Sequence, residues 1–161
     1  MAIKVGDTLP EVTFRVMGEG GPEPRTTSEI FKGKKVVLFG VPGAFTPTCH
    51  KNHLPGYLTH LDAIKAKGVD EIAVTGVNDP FVMKAWAEAT GGVGKITYLS
   101  DGSAEFAQAS GLSLDMTARG LGIRNQRFSM LVDDGEVRIL NIEETPGTAD
   151  KTGAEAMLNQ I

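Results

Sequence analysis

The run Lys35-Val36-Val37-Leu38-Phe39-Gly40-Val41 constrains the fold more than any other part of the chain. It is short and almost continuously apolar, and Pro42-Gly43 ends it, so it reads as a strand covered on both faces. A strand of that kind belongs in the middle of a sheet with helices on either side. The flanking sequence must therefore supply further strands and amphipathic helices, in alternation.

It does so. The spacing predicts a strand over 12–17, then a surface loop over 18–24, where Gly18-Glu19-Gly20-Gly21-Pro22-Glu23-Pro24 is rich in turn residues. Thr27-Ser28-Glu29 has the character of a helix start, but Gly33 allows only a turn or so. After the central strand, Leu54, Leu58, Leu61 and Ile64 recur at helical spacing across 49–67, with Pro55 kinking that helix or marking its first turn. A strand over 71–77, a helix over 80–90 opened by Pro80, and a strand over 95–100 repeat the pattern. Residues 104–110 predict a short helix, and the polar, poorly periodic 112–122 reads as mostly loop.

Strands over 127–132 and 136–142 flank Asp133-Asp134-Gly135, a hairpin signal because glycine tolerates the positive φ of a tight turn. A last helix is expected over 152–160. Two βαβ crossovers followed by a hairpin and a helix imply a mixed central β-sheet with flanking helices, the thioredoxin-like kind of α/β domain. With 161 residues and no internal repeat, one domain over 1–161 is expected.

Composition narrows the setting. A formal charge of −4 with scattered lysines and arginines gives no basic footprint for nucleic acid. The apolar runs are too short and too often broken for a membrane span. Met1-Ala2-Ile3-Lys4-Val5 has neither the apolar core of a secretory signal nor the character of a transit peptide, so a cytoplasmic location is expected. The single cysteine, Cys49, excludes an intrachain disulfide.

Taken alone, one cysteine is most simply a small buried hydrophobe. Its position argues otherwise. Val41-Pro42-Gly43-Ala44-Phe45-Thr46-Pro47-Thr48-Cys49-His50 leads from the end of the central strand into the opening of a helix. Ligands collect beyond the carboxyl ends of strands in such sheets, and helix N-termini stabilise anions. For a thiol that anion is the thiolate, the nucleophilic form. Cys49 is thus a candidate nucleophile.

Pro42-x3-Thr46-x2-Cys49 resembles the peroxiredoxin active-site pattern, and Pro-Gly-Ala-Phe-Thr-Pro-x-Cys with Leu54-Pro55-Gly56 resembles its peroxiredoxin five, or plant type II, subfamily. The resemblance continues through Val77-Asn78-Asp79-Pro80-Phe81 and Arg127-Phe128-Ser129-Met130 and covers nearly the whole chain. It implies that Cys49 attacks a peroxide oxygen and becomes a sulfenic acid. It further implies that Thr46 helps hold the peroxide, that Pro42 shields the thiolate, and that Arg127 favours the thiolate and the developing oxyanion. Read without the family, Thr46 is as well a helix cap, Pro42 a strand-ending loop residue and Arg127 a surface cation. Arg124 competes with Arg127, which directly precedes the Phe-Ser-Met of the pattern.

His53 either polarises Cys49 or fills a polar gap, and His50 departs from the serine common after the family's cysteine. A zinc site of Cys49 with His50, His53 and His60 is disfavoured, since His60 lies roughly 16 Å along a regular helix from Cys49. No metal or organic cofactor is expected, because sulfur carries the two-electron chemistry. Neither the strand over 71–77 nor the stretch 146–153 holds the second cysteine that some family members carry there. An external thiol is then required, with glutathione and glutaredoxin favoured over thioredoxin. The expected substrates are hydrogen peroxide and small alkyl hydroperoxides. A homodimer packed through loops near the active site is also implied, with Phe45 and Trp86 as contributors. The rivals are a thiol–disulfide oxidoreductase, which lacks its Cys-x-x-Cys because Thr46 occupies the first cysteine's place, a cysteine hydrolase with His53 as base, and a redox-sensing binding module without turnover.

Overall fold

The computed structural model describes residues 2–145 and 147–161; Met1 and Pro146, which belong to the amino-terminal segment and the thiol-free stretch discussed above, lie outside the described residues. The central run forms β3 (Lys35–Gly40), with β4 (Glu71–Gly76) parallel on one side and β8 (Phe128–Asp133) antiparallel on the other. The remaining strands are β1 (Thr13–Gly18), β2 (Gly21–Thr26), β5 (Thr97–Ser100) and β9 (Glu136–Ile142). Together they make a mixed seven-stranded sheet in the order β2-β1-β5-β4-β3-β8-β9. This is the thioredoxin-like arrangement expected.

Successive side chains of a strand face opposite ways, and β3 shows why its sequence had to be apolar throughout. Val37 and Phe39, with Val41 just beyond the strand, join a cluster that includes Leu54, Tyr57, Ile64, Met83, Trp86 and Met157. Val36 and Leu38 join the opposite cluster, with Phe14, Ile30, Phe31, Phe106 and Phe128. The helices α2 (Leu54–Thr59), α3 (Leu61–Ala66), α4 (Pro80–Thr90) and α6 (Ala154–Gln160) cover the first face. The short α1 (Thr27–Phe31) and α5 (Glu105–Ala109) cover the second. Thr26 and Glu29 close a capping box at the start of α1, and Asp79 caps α4 through the Val82 N–H.

Three expectations are corrected. Residues 18–24 are a tight turn plus most of β2, which pairs with β1 from Thr13↔Thr26 to Gly18↔Gly21. Pro22 and Pro24 are tolerated because β2 is an edge strand, and alternate positions there need no inward N–H. Residues 112–122 are not mostly loop: β6 (Ser113–Met116) pairs antiparallel with β7 (Gly122–Asn125) around a 3₁₀ turn at Thr117–Arg119. Strands of four mixed-polarity residues carry too little alternation to reveal themselves. The stretch 49–67 is not one helix but a π-helical turn, Cys49–His53, followed by α2 and α3, which meet at His60. Pro55 falls in the first turn of α2.

The hairpin between β8 and β9 turns through Asp134 and Gly135 with φ of 50° and 82°. That is the left-handed conformation the Asp-Gly pair predicts. Among the described residues no helix is long and apolar enough to cross a membrane.

Candidate active site

Beyond the carboxyl end of β3 the chain turns sharply through Pro42, Gly43, Ala44 and Phe45. Phe45 adopts a left-handed φ of 64°, uncommon for a residue with a side chain, and Asn78 Oδ1 holds the turn by accepting the Ala44 N–H at 2.9 Å. Gly43 leaves room for a close approach: a Cβ there would sit 2.9 Å from Arg124 Nη1 and 3.1 Å from Thr46 Cγ2. Arg124 donates to the carbonyls of Leu121 at 2.8 Å and Pro42 at 3.4 Å. The rival arginine therefore braces the loop by its backbone.

The helical run begins at Pro47, whose missing N–H costs nothing in a first turn. Thr46 lies just before it. Its carbonyl accepts the His50 N–H at 2.9 Å, while its hydroxyl donates to Gly43 O at 2.6 Å rather than capping the helix. The hydroxyl oxygen keeps lone pairs to offer, and the residue is half-buried.

Cys49 opens the π-helical turn, where the Leu54 N–H reaches five residues back to its carbonyl. Pro55 has no N–H to bond the carbonyl of Lys51, so the regular ladder is interrupted there in any case. The Cys49 side chain is fully buried. Arg127, arriving just before β8, donates from Nη2 to Cys49 Sγ at 3.1 Å. Its Nη1 donates to His53 Nδ1 at 3.0 Å. One guanidinium thus bridges the first and last residues of the turn.

The tautomer of His53 follows from its partners. Thr152 O can only accept, so Nε2 carries the ring proton and donates it at 2.9 Å, leaving Nδ1 to accept from Arg127. Burial and the neighbouring Arg127 charge push the imidazole down to about 3, against a smaller upward pull from the Thr152 carbonyl. Tyr57 donates to the same carbonyl at 2.8 Å, stacks on Phe39 at 4.1 Å, and is held above the usual phenol range by burial. With both ring nitrogens committed, His53 is not placed as the base of a hydrolase.

A model of the Redoxin family matches residues 4–158 of this chain. Peroxiredoxin-2C from Oryza sativa subsp. japonica is 46% identical over 160 residues, covering 99% of this chain and 98% of that protein. The chain belongs to the peroxiredoxin family. Among solved structures, the peroxiredoxin fold seen here is similar to reduced Prx3 in complex with H2O2 from Vibrio vulnificus, with a TM-score of 0.92, 47% identity and 98% of both chains covered. It is also similar to peroxiredoxin 5 from Alvinella pompejana, with a TM-score of 0.85, 36% identity and coverage of 98% of this chain and 96% of the other.

In this peroxiredoxin the fold brings Arg127 into direct contact with both Cys49 and His53, with Thr46 and the buried Pro42 on the loop leading to the thiol. His50 points elsewhere: its Nδ1 accepts the Trp86 indole N–H at 3.1 Å, and its ring stacks against Phe45 at 5.5 Å. Trp86 is fully buried, which leaves Phe45, 49% exposed, as the one of the two suggested interface aromatics that faces solvent. Among the described residues no group of three or more His, Cys, Asp or Glu is arranged to hold a metal. Tyr57, Glu143 and Thr152, whose contacts reach Cys49 through His53, were not singled out from the sequence. A tyrosine or threonine in a helical or loop pattern carries no sign of its partner across the fold.

Proposed function

We propose that this peroxiredoxin reduces hydrogen peroxide and small alkyl hydroperoxides at Cys49 and is recycled by an external thiol. The observation that carries the site assignment is the Arg127 Nη2–Cys49 Sγ hydrogen bond at 3.1 Å between two buried side chains. A fixed cation on the sulfur needs no reorganisation as charge moves to oxygen.

The thiolate attacks the terminal peroxide oxygen, the S–O bond forms as the O–O bond breaks, and the departing oxygen leaves as water or alcohol once protonated. Cys49 is oxidised to the sulfenic acid, and the peroxide takes up its two electrons. Thr46 and Arg127 hold the peroxide in line with Sγ, and Pro42 keeps bulk water from the thiolate. A thiol then displaces water from the sulfenic acid to give a mixed disulfide. A second thiol releases Cys49 and leaves as the disulfide.

Glutathione with glutaredoxin is the favoured reductant and thioredoxin the substitute. The single cysteine, which leaves no resolving thiol in the chain, supports the need for an external thiol of either kind. The cytoplasm, with its reducing thiol pool, is the proposed setting.

Stoichiometric hydrogen peroxide should convert Cys49 to a dimedone-trappable sulfenic acid much faster than free cysteine reacts. Cys49→Ser should abolish the adduct, and Arg127→Lys should slow its formation about 100-fold, as for loss of a transition-state donor. Added glutathione with glutaredoxin should restore repeated turnover. A thiol no more reactive than free cysteine would sink the peroxidase assignment, and turnover with thioredoxin alone would replace the reductant.

A further inference from the structure

Glu143 follows β9 and is buried although it is an acid. Its Oε2 accepts the Thr152 N–H at 2.9 Å and the Thr152 hydroxyl at 2.7 Å. Its Oε1 accepts from the Thr148 hydroxyl and the Lys151 N–H, both at 3.3 Å. Its backbone N–H donates to Arg127 O at 3.0 Å. Thr152, held in this way, presents its carbonyl to His53 Nε2, and His53 Nδ1 receives Arg127. The circuit closes on one residue: Glu143 grips Arg127 by the backbone and grips, through Thr152 and His53, the guanidinium of the same arginine.

We propose that Glu143 is a positioning residue for the Cys49 chemistry, acting through Thr152 and His53 to aim the Arg127 guanidinium at the sulfur. This rests on the peroxidase reading given above. The Thr152 carbonyl is the acceptor that fixes the proton on Nε2, and only that tautomer offers Arg127 an Nδ1 lone pair. An imidazole with Nδ1–H would oppose the guanidinium donor instead. The buried carboxylate gathers donors from Thr148, Lys151 and Thr152. The loop 144–153 also receives the Thr48 hydroxyl at Gly147 O, 3.0 Å, immediately before Cys49.

The test compares wild type with Glu143→Ala, Glu143→Gln and Thr152→Val. Two quantities are read at a temperature where each is folded: the rate of Cys49 oxidation by stoichiometric hydrogen peroxide, and the ¹⁵N signature of the His53 ring. Glu143→Ala should slow oxidation about ten-fold or more, as expected when a reacting group is misplaced by a fraction of an ångström. It should also mix the ring signature away from a single Nε2–H form. Glu143→Gln, which keeps an acceptor for Thr152, should recover most of both. Thr152→Val supplies the same test should Glu143→Ala not fold, with a smaller loss in the same direction.

Wild-type rate and ring signature in these variants would overturn the proposal. So would a slowed rate with an unchanged ring, or a changed ring with an unchanged rate, because the effect would then not pass through His53. A wild-type protein inert to peroxide would instead overturn the peroxidase reading, while the ring signature alone would still decide whether Glu143 holds His53.

Discussion

Cys49 and Arg127 meet across 78 positions of sequence, and His53 stands between their partners as a neutral ring in a buried site. Neutrality has a thermodynamic consequence. The folded imidazole is pushed down to about 3, below its ordinary value of 6.5, so between these values the unfolded chain binds a proton that the folded chain does not. The cost is absent above pH 6.5 and grows as pH falls toward 3, at up to about 1.4 kcal/mol per pH unit. Chemical denaturation of wild type and His53→Gln at pH 7, 5.5 and 4.5 should show the wild type losing stability more steeply on acidification. Glutamine can supply the same donor and acceptor without titrating. Parallel losses in the two proteins would show that His53 is not the group involved.

At the scale of elements, β3 carries the site on its end and the core on both faces. Gly40, its last residue, has no side chain because the Phe128 ring of β8 occupies the space: a Cβ there would lie 2.0 Å from Phe128 Cε2. Gly40→Ala should therefore destabilise the protein by on the order of 2 kcal/mol through overpacking, read as a lowered denaturation midpoint with an unchanged slope. Phe128 directly follows Arg127, so displacement of the ring should also slow peroxide attack. An unchanged midpoint would mean that the strand pair absorbs the methyl group. The π-helical turn is the second decisive element, since its first residue is Cys49 and its last is His53. Pro55 signalled an irregularity in the apolar stretch that follows, but not its form. Helical spacing of Leu54, Leu58, Leu61 and Ile64 is compatible with one helix or with three short segments.

At the scale of the whole molecule, Phe45 is exposed at the tip of the active-site loop in an uncommon backbone conformation. We propose that Phe45 packs in the homodimer that the family resemblance implies around the site. Sedimentation should find the wild type dimeric and Phe45→Glu shifted toward monomer, and a wild-type monomer at micromolar concentration would remove the proposal. Legible in the sequence were the buried central strand, the alternating crossovers, the Asp-Gly hairpin, and the thiol placed where a strand gives way to a helix. Each is a local pattern, legible because apolar period, turn chemistry and motif spacing act over a few residues. The motif already favoured Arg127 over Arg124, but the tertiary structure alone shows its contact with the sulfur, that His53 accepts from that arginine instead of acting on the thiol, and that Glu143 and Thr152 stand behind both. It also decided that β2 and the β6–β7 pair are strands. These outcomes depend on groups far apart in the chain, whose hydrogen-bond partners exist only once the sheet has set their distances.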